Sequence, residues 1–170
     1  MKSSGAREQG EFSQPQPGRV KSASAGEHDR VGDVCSDLIA GGKAMSGQTQ
    51  SHRDLKVWQI ALDLTETFYR LSADWPKQEQ HGLVSQVRRA SVSVAANIAE
   101  GAGRRSTGEF IQFVDISRGS LAEVETLLIV ARRLDYVEEA VFRTLLQEIY
   151  ELGRMLTGLI QSLEQRKAQK

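Results

Sequence analysis

Residues 83–101 read Leu-Val-Ser-Gln-Val-Arg-Arg-Ala-Ser-Val-Ser-Val-Ala-Ala-Asn-Ile-Ala-Glu-Gly, and this stretch decides the fold of the 170-residue chain. Its many alanines and serines let a neighbouring helix approach closely. Gly101 and Gly103 favour termination, so we predict a helix over residues 81–101. Its apolar and small residues recur at helical spacing, namely at Leu83, Val87, Ala90 with Ser91, Val94 and Ile98.

A helix is predicted before this stretch, over residues 54–73. The Asp54 carboxylate is its expected N-cap, and Pro76 lies beyond its end. Its inward stripe is predicted to be Leu55, Trp58, Leu62, Thr65 and Tyr69, widened by Ala61, Leu64, Phe68 and Leu71.

Two helices are predicted after it, over residues 106–135 and 138–165. The first of these begins with Ser106 and Glu109 at the spacing of a capping box. No strand pattern competes, and short connections make consecutive helices antiparallel neighbours. The predicted fold is therefore all-α, an up-down-up-down four-helix bundle in residues 51–170.

Residues 1–50 have a different composition, with eight of the 15 glycines and two of the three prolines. Such a segment buries too little apolar surface to offset its ordering entropy. We predict a disordered leader here, outside the bundle domain. Alternatively, Met45 is the true start and residues 1–44 are an over-extended reading frame.

The composition excludes several classes of protein. The 22 basic and 22 acidic residues give zero net charge, which argues against a strongly basic nucleic-acid-binding domain. The single cysteine, Cys35, allows neither an intramolecular disulfide nor a cysteine-rich zinc site. There is neither a signal peptide nor an apolar run of about 20 residues, so we expect a soluble, cytoplasmic protein without membrane contact.

Catalytic patterns are missing as well. His28, His52 and His81 lie in the leader or at helix edges, and no Glu-x-x-His pair of a ferritin-like site occurs. Residues 103–109 copy the spacing of a P-loop but lack its Lys-Ser/Thr ending and follow a helix. We predict a protein that is not an enzyme and has no cofactor or metal site.

Four residues form a candidate site that we call the clasp: Asn97, Glu100, Gly101 and Arg104. Asn97 and Glu100 share a helix face, and a carboxylate near a helix C-terminus favours a cationic partner, for which Arg104 is within reach. Three interpretations stay open: a contact that joins the second helix to the third, a ligand or RNA site, and a contact between subunits.

Arginines form a second candidate site, for nucleic acid. They occur in pairs in the second and third helices and the turn between them, where a ring of subunits would concentrate their charge. The alternative is a solvated, ion-paired surface, because residues 82–134 hold seven basic and five acidic residues. The candidates are Arg88, Arg89, Arg105, Arg118, Arg132 and Arg133. Arg104, the neighbour of Arg105, is already assigned to the clasp, and Arg118 is a single arginine in the third helix.

Three motifs together resemble a known family. They are Asp54-Leu55-x-Val57-Trp58-Gln59-x-Ala61, Arg88-Arg89-Ala90 with Asn97-Ile98-Ala99-Glu100-Gly101, and Arg118-Gly119-Ser120-Leu121-x-Glu123. They resemble the bacterial four-helix bundle proteins, also called 23S ribosomal RNA intervening-sequence proteins, over about residues 52–165.

The resemblance implies a four-helix bundle that assembles as a ring, with five subunits expected. It also implies similarity to the accessory variability proteins of diversity-generating retroelements, which bind reverse transcriptase and nucleic acid. This chain departs from those proteins in its neutral charge, and its leader lies outside the family pattern.

The sequence itself indicates assembly, because two helices are apolar beyond one stripe. We predict a non-enzymatic oligomeric scaffold or adaptor that binds ribosomal RNA or an RNA-handling protein such as a reverse transcriptase. The alternative is a purely structural assembly module without a nucleic-acid role. The apolar residues that run nearly around the first turns of the first helix are Leu55, Val57, Trp58, Ile60, Ala61, Leu62 and Leu64, and the fourth helix has the adjacent apolar pairs Leu145 with Leu146 and Leu159 with Ile160.

Overall fold

A computed structural model describes residues 51–169 of the chain. This part contains the α-helices α1 (Lys56–Leu71), α2 (Leu83–Ala102), α3 (Thr107–Arg133) and α4 (Glu139–Ala168). Short 3₁₀ turns lie at His52–Asp54, Ser72–Asp74 and Lys77–Glu79, and residues 51–169 contain no strand. The predicted all-α four-helix bundle is confirmed. The predicted leader, residues 1–50, with its alternative start at Met45, lies outside the described residues.

Consecutive helices pack side by side, and α4 also contacts α1, which closes the bundle around one core. The small residues of α2 allow close contacts, as their pattern predicted. The Ser117 hydroxyl on α3 donates to the Val94 carbonyl at 2.9 Å, and the Thr65 hydroxyl on α1 donates to the Ser91 carbonyl at 3.0 Å. Both contacts join neighbouring helices and satisfy polar groups near the core.

The inward stripe of α1 is confirmed only in part. Ala61, Leu64 and Phe68, which widen the predicted stripe, are buried, and so is Val57, whereas Leu62 and Tyr69 of that stripe are exposed. The helix carries two apolar stripes, and the periodicity does not tell which one faces the core. Packing against α2 and α4 decides it, and it leaves the second stripe partly on the surface.

The predicted N-cap of α1 is wrong. Asp54 belongs to the 3₁₀ turn, and Leu55, in extended conformation, precedes the first residue of α1. The N-cap of α3 is confirmed, since the Ser106 hydroxyl oxygen accepts the Glu109 backbone N–H at 3.2 Å. The Glu109 carboxylate accepts the Ser106 hydroxyl at 2.7 Å, so the second half of the capping box runs through side chains.

Among residues 51–169, none of the helices combines the length and hydropathy that a bilayer crossing requires.

Candidate functional site

The clasp lies where α2 ends against α3. Gly101 is buried, and a Cβ built on it would lie 2.7 Å from Phe110 Cδ2 and 2.8 Å from Phe113 Cβ. Real Cβ atoms do not approach carbon this closely, so glycine is required for the two helices to meet here. Gly101 is therefore the packing centre of the clasp.

Arg104 joins the end of α2 to α3. Its guanidinium pairs with the Glu100 carboxylate, and its central carbon lies 4.6 Å from the centre of the Phe113 ring. The Glu100 side chain is 52% exposed, so this pair lies at the surface. Water weakens such an ion pair, whereas the stacked cation adds contact with the ring face.

Asn97 makes no hydrogen bond to Glu100. Its side-chain amide donates to the Ser93 carbonyl at 2.7 Å and to the Ser93 hydroxyl at 3.0 Å. The Ser93 hydroxyl lies 3.0 Å from the hydroxyl of Ser120 on α3. The clasp thus contacts α3 in three places: through Gly101, through Arg104, and indirectly through Asn97, which bonds the Ser93 that reaches Ser120.

Arg88 is held by the end of α1. Its Nε donates to the Ser72 hydroxyl at 2.8 Å, its Nη2 donates to the Tyr69 carbonyl at 3.1 Å, and its guanidinium carbon lies 4.9 Å from the centre of the Tyr69 ring. Ser72 is buried. These contacts satisfy one polar group of α1 and one of the 3₁₀ turn that follows it, and they leave Arg88 little freedom to meet a ligand.

Two other candidate arginines are paired with acids. Arg118 contacts Asp115 at 3.2 Å. Arg132 contacts Asp135 and Glu139, each at 3.0 Å. Hydrogen bonds from Arg132 and Arg143 hold the pKa of the Glu139 carboxyl below its usual value. The pKa of Arg132 is raised most by its hydrogen bond to Glu139 and next by its hydrogen bond to Asp135.

The remaining candidate arginines are exposed and have no acidic partner within residues 51–169. Arg89 donates to the side-chain oxygen of Gln86 at 2.6 Å, and Arg105 and Arg133 make no ion pair there. Arg105 precedes α3 and Arg133 ends it, so the length of that helix, roughly 40 Å, separates them. The structure does not bring the six arginines into one groove.

Two of the surface depressions in the described part of the chain are shallow openings along helix seams. Residues 51–169 contain no cluster of metal-ligating side chains. One is lined by Tyr69, Gln80, Val84, Ser85, Arg88, Arg89 and Val92, and the other by Gly108, Ile111, Glu164, Lys167 and Ala168.

Exposed apolar side chains on the outer surface are features that sequence reasoning found only in part. Leu62, one of the apolar residues that run around the first turns of α1, is exposed, but Leu146 and Leu159 on α4 are half-buried and Ile160 is buried. Ile116 and Val130 are 14 residues apart, a spacing that places them on the same side of α3 and could have revealed its outer stripe. The exposed large apolar residues are Leu62, Tyr69, Val92, Ile116, Val130, Leu134, Val141 and Tyr150.

Comparisons with known proteins agree with this architecture. A family model described as 23S rRNA-intervening sequence protein matches residues 53–158. No curated protein matches the chain. A crystal structure of a protein of unknown function from the S23 ribosomal protein family of Bacteroides thetaiotaomicron is similar, with a TM-score of 0.59 and 19% identity, over 66% of this chain and 99% of that chain. At this identity, the likeness shows the fold alone.

Proposed function

We propose that this chain, which belongs to the 23S rRNA-intervening sequence protein family, is a non-enzymatic scaffold that assembles with copies of itself and binds RNA. The observation that carries the proposal is the set of large apolar side chains left between 38% and 49% exposed on the outside of a bundle whose core is already complete. Where such side chains form a contiguous patch, they mark a protein interface.

A binding role is supported by the form of the surface. Neither depression brings a histidine together with a carboxylate among the described residues. Helical surfaces of this kind are suited to holding partners in place. The expected arrangement is a closed ring, with five subunits taken from the family resemblance.

RNA is the partner that the family description favours. The contact that we propose lies at the end of the bundle where Arg105 precedes α3 and where Lys167 Nζ lies 3.8 Å from a Cβ built on Gly108. Neither cation has an acidic partner within the described residues. A ring would repeat this pair once per subunit and concentrate positive charge around the axis. The reverse transcriptase expected from the resemblance stays a prediction.

A second candidate function is structural assembly without RNA. It is favoured by the charge balance: subtracting the six basic and six acidic residues of the leader leaves 16 of each in residues 51–170. It is favoured as well by the internal partners of Arg88, Arg118 and Arg132.

Filter binding of the full chain to 23S ribosomal RNA at low and moderate salt distinguishes the two functions. The proposal predicts binding at low salt that falls steeply as salt rises, because phosphate contacts release counterions. Arg105→Ala should weaken binding more than the matched control Arg118→Ala, whose arginine is already ion-paired. If no RNA is retained even at low salt, the RNA role is wrong and structural assembly remains.

A further inference from the structure

The outer side of α3 carries a row of three exposed residues, which we call the α3 stripe: Ile116, Glu123 and Val130. Their seven-residue spacing places them on the same side of the helix. Ile116 and Val130 are 46% and 38% exposed, and Glu123 between them is exposed. Glu123 has no hydrogen-bond or ion-pair partner within residues 51–169. The stripe therefore has an exposed apolar side chain at each end and an uncompensated negative charge between them.

A second surface lies where α1 meets α2, and we call it the α1–α2 surface: Tyr69, Arg89 and Val92. These residues line one depression, and Tyr69 and Val92 are 45% and 44% exposed. The Arg88 guanidinium carbon lies 4.9 Å from the centre of the Tyr69 ring, and this contact helps to hold the ring in place. Arg89 contacts only the neutral amide of Gln86, so its positive charge is uncompensated within the described residues.

Neither surface is suited to pairing with itself. A two-fold axis through the centre of the α3 stripe would place Glu123 against Glu123 of the second copy. A two-fold axis through the α1–α2 surface would bring two Arg89 side chains together. Like charges across an interface are unfavourable, whereas opposite charges select a partner and fix its register.

We propose that the α3 stripe of one copy binds the α1–α2 surface of the next copy, with Glu123 facing Arg89 and with Ile116 and Val130 packed around Tyr69 and Val92. The complementary charges and the exposed apolar residues on both surfaces identify a second copy of this chain as the occupant. A contact between two different surfaces of identical chains closes a ring when its rotation allows. The inference rests on the proposed self-assembly and names its interface.

Charge reversal tests this interface in the full-length chain. Glu123→Arg and Arg89→Glu should each raise the concentration at half-assembly by about tenfold or more, since each places like charges together. Both changes in one chain should restore assembly to within about threefold of the wild-type value. Glu164→Arg and Arg166→Glu near the end of α4, outside both surfaces, are matched controls that should leave assembly unchanged. Sedimentation velocity gives these values, and circular dichroism checks that each variant is folded.

The outcomes separate the two proposals. A wild-type chain that is monomeric overturns the self-assembly itself and this interface with it. A wild-type multimer that both reversals leave intact overturns the interface only.

Cross-linking gives a second test that does not depend on charge. The background variant Cys35→Ser removes the cysteine of the leader, and Arg89→Cys or Glu123→Cys then supplies one thiol per chain. With a bismaleimide that spans an arginine–carboxylate pair, a mixture of the two variants should form dimers, and a chain with both cysteines should form a ladder of multimers. Dimers from Glu123→Cys alone, or none from the mixture, would contradict the heterologous contact.

Discussion

Gly101 and Phe113 fix the distance between α2 and α3, because a Cβ on Gly101 would lie only 2.8 Å from the Cβ of Phe113. Gly101 lies near the C-terminal end of α2, the helix with the small residues. The neighbouring helix α3 places Phe110 and Phe113 against it. The two helices come this close because no methyl group lies between the Gly101 backbone and the two phenylalanine side chains. It explains why this segment ends in glycine on grounds of packing alone.

Gly101→Ala is therefore expected to destabilise the fold. Overpacking costs about 1–3 kcal/mol, and the better helix propensity of alanine returns up to about 1 kcal/mol, so we expect a net loss of about 1–2 kcal/mol. Gly158→Ala is the matched control in α4, where no atom lies within 4 Å of the added Cβ. It should stabilise by up to about 1 kcal/mol. Urea unfolding measures both values, and an equal response of the two variants would refute the packing argument.

Glu100→Ala should change stability by less than about 0.5 kcal/mol, because its ion pair with Arg104 is exposed to solvent. Arg104→Ala should cost more, about 1 kcal/mol, since it also removes the cation from the face of Phe113. Thermal melts of the two variants test the order. A Glu100 variant that loses 1–3 kcal/mol would show instead that the carboxylate is a buried structural partner.

Arg88→Ala should cost about 1–2 kcal/mol, because it removes hydrogen bonds to the Ser72 hydroxyl and the Tyr69 carbonyl and exposes the Tyr69 ring. Arg105→Ala is the control, an exposed arginine without an internal partner, and should stay within about 0.5 kcal/mol. Chemical unfolding provides the comparison. Equal effects would mean that Arg88 is not a structural tie between α1 and α2.

The lowered pKa of the Glu139 carboxyl predicts that the protein loses stability in acid. Its folded-state pKa is lowered from 4.5 by hydrogen bonds from Arg132 and Arg143, so the unfolded chain binds a proton more readily than the folded chain. The stabilisation is present above about pH 4.5 and disappears as the pH falls through the lower folded-state pKa. Thermal melts between pH 7 and pH 3 should show a smaller acid-induced drop for Glu139→Gln than for the wild type. A drop of the same size in both would contradict the assignment.

The sequence predicts the helices well because their periodicity is long and uninterrupted. It fails at the start of α1, where Leu55 rather than Asp54 precedes the helix. It also fails on part of the inward face of α1. It predicts both Phe68 and Tyr69 to face inward, and only packing decides that Phe68 lies in the core and Tyr69 at the surface. Local patterns do not contain that choice.

In the candidate site, too, local spacing predicts some contacts and only packing decides the others. The i,i+4 spacing of Glu100 and Arg104 predicts their pairing, which the structure contains. The position of Phe113 beneath Arg104 depends on how α2 meets α3, and the ties from Arg88 to Tyr69 and Ser72 cross 19 and 16 residues of sequence. Contacts across such separations come from tertiary packing, which single-sequence periodicity does not encode.

The most direct test of the central claim, self-assembly, is the mass of the full-length chain in solution. Multi-angle light scattering at micromolar concentration should give a single species at a multiple of the 18.8 kDa chain mass, five times that mass if the ring has the expected five subunits. A species of 18.8 kDa under these conditions would contradict the scaffold, the ring and the concentrated cations that depend on it.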